Sequence, residues 1–161
     1  MSQNLTVGPL LEQIAARCPA GFAIALHIHF TSPKYLFQSY DHDWIEVYSR
    51  EGLVMRDPTV RWGFEHTGTI RWSVLARDDD AGVLALAAGH GLKFGFTAAL
   101  LRDGTRSIAS FARADREFTD AEIKAIAERF ETLHAATQTA EALSPAEHAA
   151  LKRMSVLLTH G

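Results

Sequence analysis

One stretch constrains the fold more than any other. LKFGFTAALLRDGTRSIASFAR, from Leu92 to Arg113, reads as two strand-forming runs on either side of Asp103-Gly104. Asp-Gly between two such runs is a strong hairpin signal, because both residues tolerate the left-handed backbone that a two-residue turn demands. The rest of the chain must then supply partner strands and helices to cover the sheet. Phe22 to Phe30 is rich in β-branched and aromatic residues and closes at Ser32-Pro33, so it reads as a strand. Tyr35 to Ser39 and Thr69 to Ser73 are shorter extended pieces.

Helices are expected between these. Residues 7–18 place Leu10, Leu11 and Ile14 at helical spacing before Pro19 and Gly21. Tyr40–Arg50 reads as a second helix ending near Gly52. Asp57-Pro58 opens a third, to about His66, with Asp as N-cap and Pro in the first turn. Asp78 to His90 reads as a fourth, with three acidic residues at its positive end and Gly91 beyond its last turn. Thr119-Asp-Ala-Glu122 is a capping box for a long helix to about Ala142, and Ser144-Pro-Ala-Glu147 is another. On the long helix Ile123, Ile126, Phe130 and Leu133 recur at core spacing. The order α-β-β-α-α-β-α-β-β-α-α gives an α+β fold, a three-layer α-β-α sandwich around an antiparallel sheet of about five strands, GAF/PAS-like. A parallel nucleotide-binding sheet would need regular βαβ alternation, which is missing.

Composition excludes several classes of function. A formal charge of −3 from 16 basic and 19 acidic residues offers no broad basic field, so nucleic-acid binding by this chain alone is not expected. Cys18, the single cysteine, has no partner for an internal disulfide. The longest apolar run, AGFAIALHIHF from Ala20, is short and contains His27 and His29, so it is neither a membrane span nor a signal peptide. The expected location is cytoplasmic, with no membrane partner.

Catalytic and metal motifs are absent too: no P-loop, Gly-x-Gly-x-x-Gly, Cys-x-x-Cys or His-Glu-x-x-His occurs. His27 and His29, two apart on a strand, face one side, but nothing at useful spacing completes a metal set; they read as histidines on a polar sheet face. Cys18 reads as a small buried hydrophobe. The helix dipole explains Asp78-Asp79-Asp80 without a cation. The expectation is a protein that is not an enzyme and holds neither metal nor cofactor.

The segment YDHDWIEVYSREGLVMRDPTV, Tyr40 to Val60, is unlike an ordinary core helix. Tyr40, Trp44 and Tyr48 fall at i, i+4 and i+8 and share a helical face. Each carries a hydroxyl or an indole N–H that needs a partner when buried. Asp57 is an N-cap, yet its carboxylate has acceptor capacity to turn inward as well. Trp72 adds a ring on a short extended stretch, and Ser110 adds a hydroxyl on the second hairpin strand. Together they describe either an aromatic core face or a pocket with an apolar body and a few directional polar groups, suited to a small amphipathic molecule.

The run Tyr40-x3-Trp44-x3-Tyr48-x8-Asp57-Pro58, then Trp72-Ser73, then GLKFGFTAAL from Gly91, resembles the autoinducer-binding domain of LuxR-type quorum-sensing transcription regulators. The resemblance spans nearly all of residues 5–142, and its leading four-residue spacing is specific. It implies binding of an N-acyl-homoserine lactone between the sheet and one helix layer, coupled to folding and to homodimerisation or pairing with a related regulator. By the same resemblance, the Trp44 indole donates to the lactone carbonyl, Tyr40 bonds the amide carbonyl and Asp57 accepts the amide N–H. Trp72 packs on the lactone ring, Tyr48 lies beside the head group, and Ser110 touches the acyl amide region. Leu36, Val60 and Ile108 are expected to wall the acyl chain.

Two departures stand out. Where the family commonly has Pro, three residues before the second Trp, this chain has Thr69. Arg71 beside that ring either admits a more polar acyl group or points to solvent. The expected organisation is a sensor domain over residues 1–142, with 143–161 the linker and opening of a helix-turn-helix that stops before its recognition helix. Such a chain is either a sensor piece cut before the DNA-binding part or a natural short form. Rival readings are a ligand-free module that sequesters a full-length regulator, a GAF- or PAS-like sensor of another small molecule, and, most remotely, an enzyme acting on the lactone.

Overall fold

The computed structural model describes residues 3–138, beginning with α1 (Gln3–Arg17), β1 (Gly21–His29), β2 (Ser32–Gln38), α2 (His42–Arg50) and α3 (Pro58–Glu65). There follow β3 (Gly68–Arg71), the one-turn α4 (Trp72–Leu75), α5 (Val83–Gly89), β4 (Phe94–Arg102), β5 (Thr105–Arg113) and α6 (Asp120–Gln138). Short 3-10 turns cover Leu53–Arg56 and Ala76–Asp78. The end of the expected long helix, the Ser144 capping box and the expected helix-turn-helix opening lie outside the described residues.

The strands form one antiparallel sheet in the order β2-β1-β5-β4-β3, the expected five-stranded α+β architecture. Asp103 and Gly104 take φ values of 53° and 83°, the left-handed pair that a tight hairpin needs. Because side chains alternate along each strand, the sheet has two distinct faces. One carries Phe22, Ile24, Leu26, Tyr35, Phe37, Phe96, Ala98 and Phe111, which pack with Leu10, Leu11 and Ile14 of α1 and Ile126, Phe130 and Leu133 of α6. Fully burying each such large side chain stabilises the fold by about 1.5–3 kcal/mol, which makes this the larger of the two apolar layers among the described residues. The Thr119 capping box is realised in both directions: Thr119 N–H donates to Glu122 Oε1 (2.8 Å), and Glu122 N–H donates to Thr119 Oγ1 (3.1 Å). The other face is covered by α2, α3, α4 and α5; Trp44, Trp72, Leu75, Val83 and Ala87 from these helices come together over Ala112 with Leu92, from the loop between α5 and β4.

Four expectations need correction. First, α2 begins at His42 with Asp41 as N-cap, so Tyr40 precedes the helix and reaches its place from the end of β2. Second, Trp72 opens the helical turn α4 instead of lying on an extended stretch. Third, α5 begins at Val83, and of the three aspartates only Asp79 serves it: its carboxylate accepts the N–H groups of Val83, Leu84 and Ala85. One residue supplies the cap, and Asp78 belongs to the preceding turn.

The fourth correction concerns the two histidines, which do not share a polar sheet face. A register shift between Ala25 and Ile28 of β1 inserts a bulge, and His27 sits in it with φ of 53°. His27 is buried, whereas His29 is exposed. The His27 ring lies against α6, with Nε2 3.1 Å from the His134 carbonyl oxygen and 2.9 Å from Thr137 Oγ1.

Candidate functional site

Strand register lays out the floor of the covered face as successive rows. Gly21, Ala112 and Gly95 stand side by side, then Gln38, Ala23, Ser110 and Thr97. Next come Leu36, Ala25, Ile108 and Ala99, and beyond the bulge Pro33, Ile28 and Arg106. Successive unbulged rows are about 6.7 Å apart, two residues of strand rise. Polarity therefore changes along the strands: hydroxyl and amide side chains sit in the second row, and apolar ones dominate the third.

A cavity of about 330 Å³ lies on this floor beneath α2, α3, α4 and α5. All nine residues singled out from the sequence line it: Leu36, Tyr40, Trp44, Tyr48, Asp57, Val60, Trp72, Ile108 and Ser110. One end is shut by buried Trp44, Trp72, Val83, Ala87 and Leu92, while at the other the lining residues Val54 and Phe64 are 47% and 40% exposed. The Trp72 ring can lie low on the sheet because the residue beneath is Gly95. A Cβ there would stand 2.6 Å from both the ring and the Phe111 carbonyl oxygen.

The polar groups divide into those already paired and those not. Asp57 keeps its two oxygens apart in function: Oδ1 accepts the Thr59 backbone N–H (2.8 Å) and hydroxyl (2.7 Å), capping α3. Oδ2 accepts the Tyr48 hydroxyl at 2.8 Å. The cap and the inward-facing role thus use different oxygens. Burial raises the Asp57 pKa above the ordinary carboxylate value, and the hydrogen bonds from Thr59 and Tyr48 oppose that rise. Burial, with the Asp57 charge nearby, also raises the Tyr40 and Tyr48 hydroxyls, so both remain protonated donors.

A second chain of hydroxyls runs beneath Trp72. Its indole Nε1–H donates to Thr97 Oγ1 (3.1 Å), and Thr97 Oγ1 lies 2.7 Å from Ser110 Oγ. Thr97 is fully buried and was not foreseen from the sequence, where one Thr within FGFTAALL gives no periodic or motif signal. By contrast, neither the Trp44 indole N–H nor the Tyr40 hydroxyl has a hydrogen-bond partner among the described residues, although Trp44 is only 4% exposed. Buried donors are almost always paired, so the Trp44 indole, with the half-buried Tyr40 hydroxyl on the same cavity wall, calls for a partner supplied from elsewhere.

Arg71 neither enters the cavity nor points freely to solvent. Its guanidinium donates to the Phe118 carbonyl oxygen (2.6 Å) and to Asp120 Oδ1 (2.8 Å), tying β3 to the start of α6. Cys18 is buried, and burial pushes its thiol up to about 12, in keeping with a packing role. No group of three or more metal-binding side chains occurs among the described residues. No described helix is long and apolar enough to cross a membrane.

Residues 20–143 match the family model described as the autoinducer binding domain. The transcriptional activator protein SolR of Ralstonia nicotianae is 31% identical over 90 residues, covering 55% of this chain and 38% of that protein. SolR of Ralstonia solanacearum is 32% identical over 89 residues, again 55% of this chain and 38% of its own length. The chain thus aligns with well under half of each of these relatives. Among solved structures, SdiA in complex with octanoyl-rac-glycerol superposes with a TM-score of 0.63 at 18% identity, covering 99% of this chain and 79% of that one. CepR2 from Burkholderia cenocepacia, an N-acylhomoserine-lactone-dependent LuxR family transcription factor, gives 0.61 at 15% identity, covering 85% and 83%. At these identities the structural likeness concerns the fold.

Proposed function

The chain belongs to the autoinducer-binding domain family, as its resemblance to LuxR-type regulators implied, and we propose that it binds an N-acyl-homoserine lactone in the cavity between the sheet and α2–α5. The observation that carries this reading is the pair of unpaired donors, Trp44 Nε1–H and Tyr40 Oη–H, on the wall of a cavity where Tyr48 is bonded to Asp57, and Trp72 to Thr97 and so to Ser110. A lactone carbonyl and an amide carbonyl are the two acceptors such a pair requires. Asp57 Oδ2, already held by Tyr48, is the acceptor for the ligand's single amide N–H. The hydroxyl chain completes the head-group site: if Thr97 accepts from Trp72 and donates to Ser110, the Ser110 proton is left to the ligand.

Binding is coupled to stability on this reading. A dry cavity of about 330 Å³ forfeits on the order of 8 kcal/mol at about 24 cal/mol per Å³, comparable with the whole stability of a domain. Water at the open end relieves part of that cost, and an acyl chain relieves more. Residues 1–142 then form the sensor, and 143–161 lead toward a DNA-binding part as in longer regulators. Dimerisation along α6 belongs to the same proposal.

Thermal denaturation of the purified chain with a series of acyl-homoserine lactones tests this directly. Ligand at one hundred times its dissociation constant adds about 2.7 kcal/mol, which raises the melting temperature by several degrees. Asp57→Ala and Trp44→Phe should each weaken the response. A flat response from a folded dimer would instead support the ligand-free interaction module.

A further inference from the structure

We infer that the ligand carries a long, unbranched acyl chain that runs the length of the cavity to its open end, and that Gly63 sets the bore of the channel the chain occupies. This rests on the lactone reading above and extends it to chain length and to a specificity residue outside the head-group site. The argument begins with direction. Trp72 lies over Gly95 and Tyr40 borders Gly21 in the first row, with Ser110 in the second, at the shut end, whereas the exposed lining residues Thr31, in the β1–β2 turn, and Phe64, beside Gly63, mark the far end. A ligand fixed by its head can extend only along the strands, across Ile108 and then Ile28. From Ser110 to Arg106 on the unbulged β5 the floor runs roughly 13 Å at the usual strand rise, and that length ends in an opening, not a wall.

The roof over this stretch is α3, and it is held unusually low. A Cβ built on Gly63 would stand 2.6 Å from Cγ2, 2.9 Å from Cδ1 and 3.0 Å from Cγ1 of Ile108. The absence of a side chain at Gly63 therefore lets Ile108 lie back against the helix and keeps it out of the channel. Arg106, in the next row, donates to the carbonyl oxygens of Gly63 (2.7 Å) and His66 (2.8 Å). Its charge sits on the carbonyl end of α3, where the helix dipole favours it, and fixes the helix at that height. The helix cannot rise to accept a larger residue at 63, so Ile108 must turn into the channel instead.

Titration calorimetry with butanoyl-, hexanoyl-, octanoyl-, decanoyl-, dodecanoyl- and tetradecanoyl-homoserine lactone reads both parts. Affinity should rise about fourfold per methylene along the series and then level off once the chain reaches the opening. Gly63→Ala should cut the dodecanoyl-to-hexanoyl affinity ratio by about tenfold or more, and adding Ile108→Ala, which removes all three crowding carbons, should restore it. A maximum at butanoyl or hexanoyl followed by a fall would overturn the long-chain inference and leave the lactone reading intact. An unchanged ratio in Gly63→Ala, with both affinities shifted equally, would reduce Gly63 to a packing residue. Failure of every lactone to bind would bring down the reading and the inference together.

Discussion

Tyr48 donates its hydroxyl to Asp57 Oδ2 at 2.8 Å, while the opposite oxygen of the same carboxylate caps α3 through Thr59. One side chain thus locks α2 to α3 and leaves an oriented acceptor on the cavity wall. Asp57→Asn and Asp57→Ala should separate these duties. Asn can keep the cap through its Oδ1 and sheds a costly buried charge, so the ligand-free melting temperature should hold or rise. Its amide nitrogen, set toward the ligand N–H, should lower lactone affinity by about a hundredfold. Ala should lose the cap too, at about 1 kcal/mol of stability. Melting curves and titrations of both variants decide it; equal destabilisation would show that the oxygens are not divided in this way.

The same carboxylate should give pH effects of opposite sign with and without ligand. Its folded pKa lies above the unfolded value. Ionisation therefore costs stability, and that cost disappears as pH falls through the folded value. On the proposed reading lactone binding uses the ionised form, so affinity should fall over the same interval. Titrations at stepped pH check this, and a profile in Asp57→Asn identical to that of the unmodified chain would assign the effect to another group.

Thr97 should matter to the ligand without touching the cavity. Thr97→Val keeps shape but removes the hydroxyl between Trp72 and Ser110. The loss leaves the indole N–H unpaired and frees the Ser110 hydroxyl to reorient. Affinity should drop by roughly five- to tenfold, about what Ser110→Ala does, and the double variant should be little worse than either single one. Full additivity would mean the two hydroxyls act separately.

The His27 ring meets that of His134 on α6 with centroids 4.4 Å apart and planes tilted by 40°. Burial is the largest cause holding His27 down to about 4, with the neighbouring His134 next, and burial lowers His134 as well. The unfolded chain therefore binds the proton more tightly. This contribution to stability is complete above the ordinary histidine value and is lost as pH falls toward about 4. Acidification across that window should lower the melting temperature by roughly 5 °C, and His27→Gln should flatten the dependence. A variant with an unaltered slope would place the acid sensitivity elsewhere.

Local chemistry made much of this legible in the sequence. Asp103-Gly104 announced its turn, Asp57-Pro58 its helix, and Thr119 to Glu122 its capping box, because each depends on neighbouring residues alone. Of the nine cavity residues, Tyr40, Trp44, Tyr48, Asp57, Trp72 and Ser110 could be gathered because large rings with polar atoms, and polar groups near them, are a poor way to build a plain core; Leu36, Val60 and Ile108 came only from the resemblance to LuxR-type regulators. What escaped depends on tertiary geometry. The bulge at His27 shows only in the pairing of β1 with β5. Thr97 is an unremarkable residue until Trp72 and Ser110 are brought to it. Gly63 reads as a weak point in a short helix, since the close approach of Ile108 belongs to a strand more than forty residues away.

The rows of the sheet floor have a consequence for how such a protein changes over generations. The residues proposed to hold the head group and those proposed to measure the tail share no member: on the floor Ser110 and Ile108 stand in separate rows of β5, and Gly63 is a different residue of the covering helices from Trp44, Tyr48 and Trp72. On that proposal a substitution at Ile108 or Gly63 retunes which chain length is bound while the grip on the head group stays as it was. Divergence between neighbouring signalling dialects can then proceed by single steps, none of which passes through a deaf intermediate.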